Sequence, residues 1–186
     1  HYKFSERVQA DFNLYHYQTK DMIKFVTNSE GVGTAQNLRS LTGKGAELEL
    51  NFQPMDNWQV KTHYAYQSTK DQENDRQVEF VPKQQFYLDS RWQVSPNWLL
   101  SAQISYIKDR SRASGDVRQP IDDYQLANIT LRRANLSWDG KDKNWSIAAT
   151  IKNLFDSDVR EPSDGRILND YPMHGRRVYV ELSYRL

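Results

Sequence analysis

The chain is 186 residues long, 38% hydrophobic and 12% aromatic, with a formal charge of +1 and a mean hydropathy of -0.86. That many rings exclude a disordered chain, the near-neutral charge argues against nucleic acid as a partner, and no apolar run approaches the ~18 residues of a membrane-spanning helix. With no Cys there is neither a disulfide scaffold nor a thiolate zinc site.

The chain opens on His1 and Tyr2 with no initiator Met and no signal segment, so the expectation is a processed protein or a C-terminal piece of a longer one. Nine stretches then alternate apolar and polar residues in the period of two that marks a strand: 6–17, 21–27, 44–53, 58–69, 83–94, 98–109, 121–138, 145–154 and 175–186. None shows helical periodicity. In the third, Ala46, Leu48, Leu50 and Phe52 share a face opposite Glu47, Glu49, Asn51 and Gln53. The fourth sets Trp58, Val60, Thr62, Tyr64 and Tyr66 against Gln59, Lys61, His63 and Ala65. A short loop between them predicts Phe52 opposite Val60, Leu50 opposite Thr62, Leu48 opposite Tyr64 and Glu49 opposite His63. The fifth and sixth predict Phe86 with Tyr106, Leu88 with Ile104, Trp92 with Leu100 and Val94 with Trp98. The seventh changes parity between Leu131 and Leu136, which predicts a bulge over Arg132 to Asn135. The ninth runs Val178, Val180, Leu182, Tyr184, Leu186 on one face and Tyr179, Glu181, Ser183, Arg185 on the other.

The connections after strands one, three, five and seven are short ("QTKD", "PMDN", "SPN", "DGKDKN"). Those after two, four, six and eight are long and polar. An Asn-Trp pair opens a strand three times, at Trp58, Trp98 and Trp145, spaced 40 and 47 residues apart. A propeller repeats on this scale, but its four short strands per blade do not fit two long strands per period. Long strands joined by alternating short turns and long loops are the layout of an antiparallel transmembrane β-barrel, with the short turns and the C-terminus on the periplasmic side. The apolar set then faces lipid, because Glu47, Glu49, Lys61, Asp89, Arg91, Glu181 and Arg185 suit only a polar interior. Trp58, Trp98 and Trp145 are expected to form an interfacial girdle at one membrane boundary.

"IKNLFDSDV" (151–159) with "GRRVYVELSYRL" (175–186) resembles the closing strands of TonB-dependent outer-membrane receptors, and "GKGAELELNFQPMDNWQV" (43–60) resembles one of their hairpins. The resemblance covers essentially the whole chain. It implies that residues 1–186 are about nine C-terminal strands of a barrel of roughly 22, with the plug domain and earlier strands not present. It further implies an outer-membrane location in a Gram-negative bacterium and TonB as a partner through the absent N-terminal part. Outer-membrane lipid and lipopolysaccharide are implied surroundings. The implied activity is uptake of a scarce solute, most commonly a ferric siderophore, with cobalamin, haem or oligosaccharide as alternatives. The stripe Val178, Val180, Leu182, Tyr184, Leu186 resembles the signal read by the outer-membrane assembly machinery, although Leu186 stands where that signal usually has Phe.

No catalytic residue, metal site or cofactor is expected. The four His are scattered, "GVG" at 31–33 lacks a dinucleotide context, and Asp71, Glu73 and Asp75 lack the Gly and Glu of a calcium loop. Arg110, Arg112, Arg118, Arg160 and Arg166 lie in the long connections and are the candidate contacts for an anionic ligand, since a guanidinium offers a bidentate fork. Two other classes remain open on the residues: a smaller outer-membrane enzyme or adhesin barrel, and a soluble β-domain binding carbohydrate through its aromatics.

Overall fold

Alternation in period two fixes which backbone edges pair, and a computed structural model shows the result over residues 1–27, 33–73, 75–113, 115–137, 140, 144–163 and 167–185. The described residues hold strands and no helix. The strands are β1 Tyr2–Ser5, β2 Val8–Thr27, β3 Gly33–Met55, β4 Trp58–Asp71, β5 Arg76–Gln77, β6 Pro82–Ser95, β7 Trp98–Arg110, β8 Tyr124–Leu136, β9 Trp145–Lys152, β10 Arg160–Glu161, β11 Tyr171–Pro172 and β12 Arg177–Tyr184. One antiparallel sheet runs β1-β2-β3-β4-β6-β7-β8-β9-β12, with β5 on the end of β4, and β10 pairs β11 apart from it. Each principal strand therefore lies beside its predecessor along the chain.

The predicted registers hold in the central hairpins. Phe52 opposes Val60, Leu50 opposes Thr62, Leu48 opposes Tyr64 and Glu49 opposes His63. Phe86, Leu88 and Trp92 oppose Tyr106, Ile104 and Leu100, but a shift after Gln93 brings Ser95, not Val94, opposite Trp98. The register of β8 slips between Arg133 and Leu136, with Asn135 at φ 55, inside the span predicted to bulge.

The N-terminal third differs from the sequence reading. Stretches 6–17 and 21–27 are one strand, β2, and "QTKD" is an irregularity within it: the register shifts between Thr19 and Met22, around Asp21 at φ 56. Asp tolerates that left-handed backbone better than most residues, so the signal read as a turn is a bulge. The expected long connection from 28 to 43 is mostly strand, since β3 begins at Gly33. β2 and β3 thus continue as a two-stranded ribbon beyond the end of β4, which pairs no further along β3 than Leu41. β1, not anticipated, supplies the short first hairpin and preserves the alternation of short and long ends.

The sheet has almost no core. Among the described residues only Leu41, Ala127 and Val159 are buried hydrophobics. The apolar side of every long strand is instead open, as with Phe12, Leu48, Phe52, Tyr64, Trp92, Tyr106, Leu131, Ile147, Val180 and Leu182. In water each such side chain forgoes roughly half of the about 1.5–3 kcal/mol that full burial is worth, and a continuous band of them is an aggregation surface. Hydrocarbon on that side removes the penalty, leaving the opposite side for charge. There Arg91 Nε donates to Asp89 at 2.9 Å and Gln103 Nε2 donates to Asp89 at 3.2 Å.

On the polar face, Tyr15 and Tyr17 lie directly across from Gly45 and Gly43. Their rings stand 6.3 Å apart at 19°, and the Tyr17 hydroxyl reaches Thr69 on β4 at 3.2 Å. A Cβ at Gly43 would overlap the Tyr17 ring; at Gly45 it would meet both Tyr15 and the Tyr66 carbonyl oxygen at 2.5 Å. A ring can swing aside, a strand carbonyl cannot. Gly45→Ala is therefore expected to destabilise the sheet by about 1–3 kcal/mol, the scale of overpacking, and Gly43→Ala by less. Urea midpoints of the folded protein in detergent measure both, and an equal or reversed order would remove Gly45 from this role.

Candidate functional site

The Asn-Trp repeat occupies three equivalent places at the short-turn end. Asn57, Asn97 and Asn144 each present a carbonyl to the following strand pair, accepting from Gln93 N–H at 2.8 Å, Ala134 N–H at 2.9 Å and Arg185 N–H at 3.0 Å. The Trp after each turns onto the sheet. Trp58 Nε1 donates to Ser90 at 2.9 Å and its ring lies 5.9 Å from Trp92; Arg133 sits 5.3 Å over Trp98; Trp145 packs 4.8 Å from Tyr184. The repeat thus has a backbone cause, one carbonyl used the same way three times.

The last strand is paired along its whole length with β9: Val178 opposes Ile151, Val180 opposes Ala149, Leu182 opposes Ile147 and Tyr184 opposes Trp145. Val180 is 69% exposed and Leu182 is 55% exposed, so this apolar stripe has nothing over it. Leu186 lies outside the described residues.

Between β9 and β12 the "NLFD" stretch forms a tight knot. Asn153 is buried at φ 51, and its carboxamide accepts from Ser157 N–H at 2.9 Å while donating to the carbonyls of Ser157 at 2.9 Å and His174 at 3.4 Å. Asp156 accepts from Arg176 N–H at 2.7 Å. Both side chains thereby hold the start of β12.

Four of the predicted ligand arginines lie at the opposite end, Arg110 as the last residue of β7, Arg112 and Arg118 in the connection 111–123 and Arg160 in the connection 153–176. Arg110 is buried under these connections, donating to Glu161 at 2.9 Å and to the carbonyls of Arg160 at 3.0 Å and Asp122, with its guanidinium 4.7 Å over Tyr124. Arg112 forks onto Asp170 with bonds of 2.8 and 2.7 Å. Arg118 grips Asp116 at 2.9 and 3.0 Å, then reaches across to Ser163 at 3.1 Å, the Ile167 carbonyl at 2.8 Å and Asp170 at 3.0 Å. Arg160 donates to Asp158 at 3.1 Å and to the Asn169 carbonyl at 2.8 Å. Arg166 lies outside the described residues. The structure thus brings the four described arginines together, each already facing a carboxylate.

Sequence reasoning missed Asp116, Ser163 and Asp170. One signal was available: "DVR" occurs at 116–118 and again at 158–160, and in both the Arg bends back onto the Asp two residues before it. The Arg118 guanidinium holds the Asp116 carboxyl down to about 2, and Arg112 holds Asp170 below the usual carboxylate range. Both folded values lie under the unfolded one near 3.9, so the stabilisation is full above about pH 4 and is lost as pH falls towards 2 and below. Pepsin cleavage within 111–123, normalised to an unfolded substrate, is expected to rise between pH 4 and pH 2. Flat susceptibility over that window would contradict the pairing.

A second polar region lies on the sheet itself, an open groove lined by Glu49, Lys61, His63, Tyr87, Asp89 and Arg91. Asp71 and Glu73, weighed as calcium ligands, are tied locally, with Glu73 N–H donating to Asp71 at 3.0 Å.

A family model described as "TonB dependent receptor-like, beta-barrel" matches residues 2–154. No curated protein sequence matches the chain. Solved structures match in fold. The ferric-catecholate import receptor Fiu from K12 E. coli has a TM-score of 0.71 at 18% identity, covering 96% of this chain and 25% of that one. The copper transporter OprC has a TM-score of 0.76 at 18% identity, covering 97% and 29%. The ferric citrate transporter FecA has a TM-score of 0.71 at 18% identity, covering 96% and 29%. The chain therefore spans between a quarter and three tenths of these relatives.

Proposed function

The chain belongs to the TonB-dependent receptor β-barrel family, whose members are transporters, not enzymes, and on that premise we propose that it forms part of the wall of a receptor that imports a scarce solute. Residues 1–186 are then the C-terminal portion of the barrel, in the outer membrane of a Gram-negative bacterium. The plug and the earlier strands come from elsewhere in the longer protein, and TonB supplies energy through the N-terminal part. The observation that carries this reading is the division of the sheet: an uncovered apolar side, and a polar side carrying Glu49, Lys61, Asp89 and Arg91. The cargo is a ferric siderophore. This rests on the relatives named as a ferric-catecholate import receptor, a ferric citrate transporter and a ferric enterobactin receptor. Copper is the second reading, supported by the match to a copper transporter. Deleting the gene should abolish growth on a ferric siderophore as sole iron source. Normal growth on every iron chelate tried, with lowered copper accumulation, would replace iron with copper.

Trp58, Trp98 and Trp145 mark the periplasmic interface, and the stripe from Val178 to Leu186 is presented to the assembly machinery. Lipids brominated near the carbonyl end of the chain should quench the fluorescence of these Trp more strongly than lipids brominated near the methyl end. The opposite order would move the girdle off the interface. Arg110, Arg112, Arg118 and Arg160 each already face a carboxylate, so an anionic ligand would reach them in competition with that partner.

A further inference from the structure

We infer that Asp170 is the hub of a latch that makes the described residues of the two long connections, 111–113 and 115–123 in the first and 153–163 and 167–176 in the second, a single mechanical unit. Its carboxylate accepts from Nη1 and Nη2 of Arg112 at 2.8 and 2.7 Å and from Arg118 at 3.0 Å, all from the first connection. From its own connection it accepts from Ser163 N–H at 3.0 Å, and the Ser163 hydroxyl, which donates to the Ile167 carbonyl at 2.8 Å, lies 3.3 Å from it. Ser163, 1% exposed, also binds Arg118 through its hydroxyl at 3.1 Å and its carbonyl at 3.0 Å. Asp116 closes the circuit by holding Arg118 from the first connection.

Three properties turn this contact into a coupling. The two arginines and two carboxylates balance, so the cluster is neutral and can stay shielded from water. The side chains of Asp116 and Asp170 are each only 6% exposed, and removing one partner strands a charge rather than releasing it to solvent. The bonds join residues 52 and 58 positions apart, Arg118 and Arg112 to Asp170, so neither connection can order itself alone in this geometry. Loosening one must loosen the other by the same factor, since a coupling free energy is reciprocal. The latch does not depend on the cargo, and it holds whether the receptor carries an iron chelate or copper.

Amide hydrogen exchange on the full-length protein in detergent tests it. The reporters are Asp116 N–H, bonded to the Ala113 carbonyl, in one connection and Met173 N–H, bonded to the Val159 carbonyl, in the other. Asp170→Asn is expected to raise exchange at least tenfold at Asp116, and Asp116→Asn to raise it at least tenfold at Met173. Amides in β6 and β7 should stay unchanged. If each substitution loosens only its own connection, the coupling is refuted. Should either variant fail to give a heat-modifiable folded band, Ser163→Ala, which removes one hydroxyl from the hub, must still raise exchange on both sides; an effect on Met173 alone would overturn the proposal.

Discussion

Val180→Arg is expected to leave most of the protein unassembled, whereas Glu181→Arg, one residue along the same strand, is expected to assemble normally. The two side chains point to opposite faces of β12. Val180 is 69% exposed on the apolar face, opposite Ala149, whose small side chain cannot screen it. Glu181 is on the polar face, where its carboxylate accepts from Ser183 Oγ at 2.9 Å. Depth sets the size of the effect. Tyr184 packs on Trp145 at the short-turn end. Four residues at about 3.3 Å each, tilted by about 40°, lift Val180 about 10 Å from that end, close to the middle of an apolar band about 25 Å tall. Arg there costs about 2–4 kcal/mol and falls towards zero near the interface. The expected order of damage is Val180→Arg, then Leu182→Arg, then Tyr184→Arg, read as the heat-modifiable fraction in isolated outer membranes. Equal damage from Glu181→Arg, or no gradient along the stripe, would mean that the apolar face does not meet hydrocarbon.

The same asymmetry explains what could be read in the residues and what could not. Between lipid and a polar interior, each side chain's face has a different solvent, so the alternation in β3 and β4 fixes their register to the residue, as Glu49 opposite His63 shows. From Gly33 to Leu41 the sequence no longer alternates while backbone pairing to β2 continues, and so that part of the ribbon reads as loop. The arginines show a second limit. Their number and position were legible, but their partners were not, because the carboxylate that holds Arg112 lies 58 residues away. Even the repeated "DVR" does not settle burial: Val117 is 97% exposed and Val159 only 2%. The tripeptide fixes a local ion pair; which side of it faces inward depends on the connection packed against it.

The closing motif is where one side chain is expected to matter most for the end of the chain. Asn153→Ala should lower stability by about 2–4 kcal/mol. Removing the carboxamide leaves Ser157 N–H without its acceptor, which costs about 1–3 kcal/mol beside the buried Asn153, while the Ser157 and His174 carbonyls belong to half-buried and exposed residues and can turn to water. Backbone adds to this: at φ 51 Ala pays a left-handed penalty of about 1–2 kcal/mol that Asn partly avoids. Asn153→Gly separates the two effects, because it relieves the backbone and still lacks the bonds. It should recover only part of the loss. Asn153→Asp keeps the acceptor for Ser157 N–H but donates to neither carbonyl, and should fall between Asn and Ala. The damage should concentrate where Asn153 and Asp156 hold residues 174–176, so β12 amides near Arg177 should exchange faster than those near Tyr184. Urea midpoints and exchange on the full-length protein in detergent decide it. A midpoint for Asn153→Ala within error of the unsubstituted protein would reduce the motif to a spacer between the last two strands.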